Sequence, residues 1–401
     1  MIETTVVGSY PVSFNENDLI RAYENKKEIF PELVKEVVED FLSAGIDIIS
    51  TGQVRTDMIS EFTRKIAGIV DERGNHKIIF PIKFVSPITL RDIQHTKTLM
   101  PLGKKIKAPI TGPFTLANSC TITQDSGYVG VEELAFDFAY ILNKEARNIE
   151  EFVDVIQIDE PFLSQEFPEY AKDLISIVRE GIKKPIALHV CGDVSQIFES
   201  LTKFDVAILD HEFTTNENLL DKIASFDFKQ KIGYGCVNSS ILYVEPVEEI
   251  INSVEKAIKI LGEDKLVLDP DCGMRHLPKQ VAYSKLVNMV NARNKIFGIE
   301  KTEAQRKNLS KEDWDQKGYF YIFIDQREKK IRVEHYSYKH VLDNIILGRD
   351  AESMLHTVLK RDLVSKDLNG MRHFGYLGTE LQKAEIALEK GLDYTQDKKI
   401  I

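Results

Sequence analysis

The segment His189-Val190-Cys191 closes a run of strand-forming residues, Pro185 to Val190. Side chains at i and i+2 of a strand point to the same side, so His189 and Cys191 can reach one ion together. Two further candidate ligands end later runs of the same kind, Glu212 after VAILDH and Cys272 after LVLDPD. An imidazole, two thiols and a carboxylate form a donor set suited to zinc. A His-x-Cys by itself more often belongs to a packed core. Here all four candidates fall at the carboxyl ends of strand runs, which is one rim if the strands are parallel.

The surrounding pattern makes them parallel. Eight short runs, Thr4 to Gly8, Asp47 to Gly52, Ala108 to Gly112, Val153 to Asp159, Pro185 to Val190, Val206 to Glu212, Lys231 to Cys236 and Leu266 to Asp269, alternate with amphipathic stretches of helical period. VDVIQID and KLVLDPD are nearly continuous in apolar residues, as strands buried on both faces are. PELVKEVVEDFLSAG and VEEIINSVEKAIKILG repeat at helical spacing and finish at glycine. The expected fold is α/β, a (β/α)8 TIM barrel over residues 1–298, with active residues at the carboxyl ends of its strands. The link between the second and third runs, residues 53–106, is too long for one helix, and DERGNH between KIAGIV and KIIFPIKFV reads as an inserted hairpin. After residue 298 the chain turns strongly charged. GYFYIFIDQREKKIRVEHY then reads as two strands around a charged turn, with helices at ESMLHTVLKRDLV and ELQKAEIALEKG. Residues 299–401 are therefore expected to form a small α+β domain.

Composition narrows the function classes. The chain has 401 residues, 43% of them hydrophobic, and a net charge of −11, which opposes attraction to phosphate backbones or anionic membranes. No nucleic-acid or membrane partner is expected. There is no signal-peptide pattern at the amino terminus and no apolar run long enough to span a bilayer, so the expected location is the cytoplasm. The four cysteines, Cys120, Cys191, Cys236 and Cys272, are too few to staple such a chain and read as core residues, nucleophiles or ligands.

Seven segments taken in order, VVGSY (6–10), STGQVRTDMISEF (50–62), ITGPFT (110–115), IQIDEP (156–161), HVCGD (189–193), the run ending in Glu212, and DPDCG (269–273), resemble the catalytic barrel of cobalamin-independent methionine synthase in its short, archaeal-type core form. The resemblance implies a zinc site at His189, Cys191, Glu212 and Cys272, the same set that the strand ends pick out. It also implies homocysteine as substrate, held around Gly8 and Ser9 with Asp159 taking its ammonium group. Gln53 and Met58 stand at further substrate positions. A zinc-bound thiol is deprotonated yet nucleophilic toward a methyl group, so zinc would act as thiol activator.

Departures from the family are as informative as the matches. The carboxylate expected after the second strand is Gln53, which can hydrogen-bond an ammonium group but brings no charge. The Trp expected after ITGPFT, on which the family stacks its folate, aligns with Ser119, and the proton-donating His expected after the seventh strand aligns near Ser240. The family's long amino-terminal half is not in this sequence. Methyl departure from a folate nitrogen needs a general acid, whereas departure from methylcobalt needs none. A methylated corrinoid protein is therefore the expected methyl donor.

Other residues have balanced readings. Cys236 and Cys120 read chiefly as packed thiols, and Arg55 and Asp57 as either pocket residues or a charged turn. His211 should face away from the ion, and His276 is either a ligand-orienting group or exposed. His335, His340, His356 and His373 lack ligand spacing. The carboxy-terminal region resembles a small archaeal accessory domain linked to pterin metabolism, which could dock a donor or simply pack. Alternatives to homocysteine methylation are methyl transfer to another thiol such as coenzyme M, a uroporphyrinogen-decarboxylase-like barrel without a metal tetrad, or a non-catalytic partner with a closed structural zinc.

Overall fold

The computed structural model describes residues 1–12, 29–216 and 218–299, together with the backbone of residues 318–325, 330–337 and 399–400. The chain divides into two compact units, Met1–Ile241 with Val247–Lys301, and Leu242–Pro246 with Thr302–Ile401.

In the first unit the strands are β1 (Glu3–Thr4), β2 (Ile48–Ile49), β3 (Ala67–Glu72), β4 (Asn75–Lys83), β5 (Lys105–Thr111), β6 (Cys120–Ile122), β7 (Val155–Asp159), β8 (Ile186–Val190), β9 (Ile208–Glu212), β10 (Lys231–Val237) and β11 (Leu266–Pro270). Eight of them form one parallel sheet in the order β1-β11-β10-β9-β8-β7-β5-β2. A parallel bridge between Thr5 and Ile48 joins its two ends and closes the barrel. Strands β7, β8 and β11 are buried along their whole length, which explains their continuous apolar sequences: one face fills the barrel and the other lies under helices. Helix Phe30–Ala44 is a typical cover. It carries Pro31 in its first turn, turns Leu33, Val34, Val37, Val38 and Phe41 inward, and stops at Gly45, whose φ of 92° a side chain would resist.

The expected hairpin is present as β3 and β4. Its connection is Arg73-Gly74, both with positive φ, the primed turn that matches strand twist. Short β6 adds to β4 in parallel. The sheet is tied to helix Met58–Thr63, where the Thr63 hydroxyl lies 3.0 Å from Nδ1 of buried His76. In the second unit, β12 (Gly318–Asp325) and β13 (Lys330–Ser337) pair antiparallel, with Gly318 opposite Ser337, as the sequence pattern predicts. A third strand, β14 (Lys399–Ile400), pairs with β12. The two helices expected after β13 lie outside the described residues.

Closure at β1 and β2 depends on Asp47. Its carboxylate accepts from the backbone N–H and hydroxyl of Thr4, from Lys104 Nζ at 2.9 Å and from Arg293 Nη1 at 2.7 Å, and its own N–H bonds back to Thr4 O. Burial alone would raise this acid, but Lys104, Arg293 and the Thr4 amide outweigh burial and hold it below the ordinary aspartate value. A depressed pKa contributes stability above the unfolded-state value that is lost as pH falls through the folded one. Asp47→Asn is expected to lower unfolding free energy by about 2 kcal/mol at neutral pH. Chemical denaturation should show that difference steady above about pH 5 and shrinking below about pH 4.

Candidate metal centre

Strand pairing sets the geometry of the rim. Strands β8 and β9 pair His189 with Asp210 and Val190 with His211, so one step further places Cys191 beside Glu212 at the carboxyl ends. His189 Nε2 lies 2.9 Å from Cys191 Sγ, and Cys191 Sγ lies 3.1 Å from Cys272 Sγ. Nε2 and the two sulfurs, one ligand atom from each residue, fall within 4.8 Å of one another, a group that could hold a metal ion. The two thiols are in hydrogen-bonding contact, with either sulfur able to be the donor. The contact with Cys191 draws Cys272 below the ordinary thiol range, and the same contact, with burial, raises Cys191. Burial would lower His189, but Cys191 on one side of the ring and Asp210 on the other raise it. Glu212 ends β9 at this rim and lies outside the three-residue group; its Oε2 accepts from the Thr215 hydroxyl at 3.0 Å.

Loop contacts gather the remaining parts. Asp271, beside Cys272, accepts from the N–H groups of Phe213 and Thr214 and from the Thr214 hydroxyl, so the ends of β9 and β11 are fastened together. Gly235 on the intervening β10 leaves room for it, since a Cβ there would come within 2.4 Å of Asp271 Oδ1. Burial pushes Asp271 up to about 7 despite these donors. Ser9 follows β1 and packs against Gly273, where a Cβ would meet its Oγ at 2.2 Å, while Met274 N–H donates to Ser9 O at 2.7 Å. The turn at Gly8 and Ser9 is thereby held beside Cys272.

Of the other expected substrate residues, Gln53 touches this turn and Asp159 is linked to its start through Gln157. Gln53, in the left-handed region at φ 47°, rests its side-chain oxygen against Gly8, and its buried Nε2 has no partner among the described residues. Arg275 clamps this loop by donating to the carbonyls of Gln53 and Thr56. Gln157 Nε2 bridges Val7 O and Asp159 Oδ1 at 2.9 and 2.7 Å, which orients Asp159 from β7. Burial raises Asp159 to about 7, against the lowering influence of His189 and Gln157. Met58 opens helix Met58–Thr63, and its carbonyl accepts from Thr111.

The bland readings apply elsewhere. Arg55 forms a two-pronged pair with Asp92 at 2.6 and 2.7 Å and sits over the Phe30 ring, and Asp57 caps helix Met58–Thr63. His211 faces outward, bonds Val190 O through Nδ1, meets the Phe198 ring edge-on, and is lowered to about 4 by burial. Cys236 is buried, burial raises half-buried Cys120 to about 12, and His276 is exposed. The side chains of His335, His340, His356 and His373 lie outside the described residues. Sequence reasoning missed Asp210, Asp271, Arg275 and Glu160. Glu160 accepts from Phe114 and Thr115 and so caps helix Pro113–Asn118. Asp210 had a signal: it stands two residues before Glu212, on the same face of the strand.

Fold and rim together define a (β/α)8-barrel protein with an imidazole and thiol cluster at the carboxyl ends of its strands. Residues 2–295 match the family described as cobalamin-independent synthase, catalytic domain, and residues 314–397 match one described as PterinBD-DUF4346. The chain is 39% identical over 306 residues to a methionine synthase of Methanocaldococcus jannaschii, covering 72% of this chain and 97% of that protein. It is 34% identical to one from Methanothermobacter marburgensis, covering 72% and 98%. A solved B12-independent methionine synthase from Shewanella, in complex with selenomethionine, shares the fold at a TM-score of 0.63 and 23% identity, over 74% of this chain and 98% of that one. The chain belongs to the cobalamin-independent methionine synthase family and is a methyltransferase. Among the described residues no helix is long and apolar enough to cross a membrane.

Cobalt(II) titration reads the cluster directly, through the sulfur-to-metal absorption that thiolate ligands produce. Replacing Cys191 or Cys272 by Ala removes a ligand and is expected to weaken metal uptake by at least the ~10- to 100-fold that loss of an outer-shell partner costs. Unchanged uptake by both variants would remove the cluster from consideration.

Proposed function

We propose that this protein transfers a methyl group to the thiol of homocysteine, forming methionine, with zinc held by His189, Cys191, Cys272 and Glu212. The observation that carries the reading is the convergence of Nε2 and two sulfurs within 4.8 Å at the rim where the Gly8-Ser9 turn is held. The donor set fits zinc: an imidazole whose far nitrogen is already engaged, two thiols of which one is drawn toward thiolate, and a carboxylate, Glu212, at the strand position beside Cys191. Zinc bound there would supply the Lewis acidity that deprotonates a thiol and leaves it nucleophilic.

The chain's own residues do the rest. The amino-acid end of the acceptor lies along the turn at Gly8 and Ser9, with Asp159, oriented by Gln157, receiving its ammonium group. Gln53 and Met58 complete that subsite, Gln53 offering its unpartnered amide nitrogen as a donor. In the transfer a sulfur–carbon bond forms as the donor–carbon bond breaks, its electron pair stays on the donor, and the thiol proton leaves to solvent. We take the donor to be a methylated corrinoid, carried on a protein. Ser119 spends its hydroxyl on Thr115 O, and exposed Ser240 sits in a local turn with Asn238, so neither position carries a stacking ring or a proton donor for a folate nitrogen. Division into a barrel over 1–298 and an accessory α+β domain over 299–401 completes the proposal.

Zinc-loaded protein should form methionine from homocysteine and methylcobalamin. Turnover with methyltetrahydrofolate alone would reject the corrinoid donor, and turnover of coenzyme M in place of homocysteine would reject the acceptor. Asp159→Asn is expected to raise the KM for homocysteine by about 10- to 100-fold, the worth of one charge-assisted contact, with zinc content unchanged.

A further inference from the structure

We propose that Asp210, backed by the buried ammonium group of Lys107, is a positioning residue that holds His189 with Nε2 toward the metal. The inference rests on the metal reading above. His189 and Asp210 are direct partners across β8 and β9, and Nδ1 lies 3.1 Å from Asp210 Oδ1. The other ring nitrogen, Nε2, is the one beside Cys191 Sγ. A neutral imidazole has one N–H and one lone pair, so an acceptor at Nδ1 forces the lone pair onto Nε2. Hydrogen bonding of the far nitrogen to a carboxylate also raises ligand basicity and restrains the ring.

A buried carboxylate needs a reason to be tolerated. Asp210 and His189 are each 1% exposed. Lys107, 3% exposed, reaches in from β5, which is not adjacent to β9, and puts Nζ 4.0 Å from Asp210 Oδ2. Burial holds Asp159 of β7 and Asp269 of β11 raised, and the charge of Lys107 also acts downward on both acids, in the same sense as His189. The space is built for it. Gly233 of β10 pairs with Asp210 of β9, and a Cβ at Gly233 would stand 2.7 Å from Asp210 Cβ and Cγ.

The test is zinc affinity of the full-length protein, measured by competition with a chromophoric chelator. Asp210→Ala is expected to bind zinc about 10- to 100-fold more weakly. Asp210→Asn keeps an acceptor for Nδ1 and should recover part of that loss, whereas Lys107→Met should weaken binding without touching any ligand. Affinities of all three within twofold of the unaltered protein would overturn the proposal. The unaltered protein gives an independent reading that no folding defect can obscure: nitrogen-15 NMR of the zinc-loaded form should show His189 protonated at Nδ1 and metal-bound through Nε2, and the opposite arrangement would overturn it. An unaltered protein that takes up no zinc would instead defeat the metal reading, and this inference with it.

Discussion

Parallel strands in register carry equivalent side chains to equivalent heights, and closing such a sheet turns every second one toward a common axis. That constraint is what brings His189, Cys191 and Cys272 within ligand distance of one another although they are far apart in the chain. It also sets a carboxylate beside the imidazole, since the residue paired with His189 on the next strand is Asp210. Closure is thus a condition of the chemistry. The Thr5–Ile48 bridge and the Asp47 hub at β1 and β2 hold the Gly8-Ser9 turn next to Cys272.

Missing side chains matter as much as those present. Inward positions 233 and 235 of β10 are glycines, and the volume they leave is occupied by Asp210 and Asp271. One of these carboxylates braces the imidazole, and the other ties the loop after β9 to the loop after β11. At the third such contact, Gly273 admits the Ser9 hydroxyl. Small residues at these points open room for polar groups, and of these Asp210 reaches His189 and Lys107 while Asp271 accepts from Phe213 and Thr214, which offsets the cost of burying a carboxylate.

Membership of the cobalamin-independent methionine synthase family coexists with changes around the rim. By the resemblance read from the sequence, Gln53, Ser119 and Ser240 stand where the family carries a carboxylate, an aromatic and a histidine, and the two serines make the local bonds of ordinary helix-end and turn residues. The His189, Cys191 and Cys272 group that could hold a metal ion stands at the same rim, and the proposed corrinoid donor rests on the residue types at positions 53, 119 and 240.

The eight strand runs, the covering helices, the Arg73-Gly74 hairpin and the His-x-Cys pair were legible in the sequence because each is a local pattern: periodicity, a glycine stop, a primed turn, two side chains on one face of a strand. Seven ordered segments also carried the family. Register across strands is not local, so no reading of residues 189 and 210 alone could pair them. The same holds for Lys107, which meets Asp210 only across the barrel interior, for Asp271, whose partners lie on another loop, and for Arg275, which clamps Gln53 and Thr56 from the far end of the unit. The place of Glu212 at a strand end was written in the sequence, whereas its exposed hydrogen bond from Thr215 is seen only in the folded loop. Chemistry that depends on residue type and short spacing was determined by the chain; which nitrogen faces the sulfurs, and which buried charges offset one another, was decided only when closure put distant strands in contact.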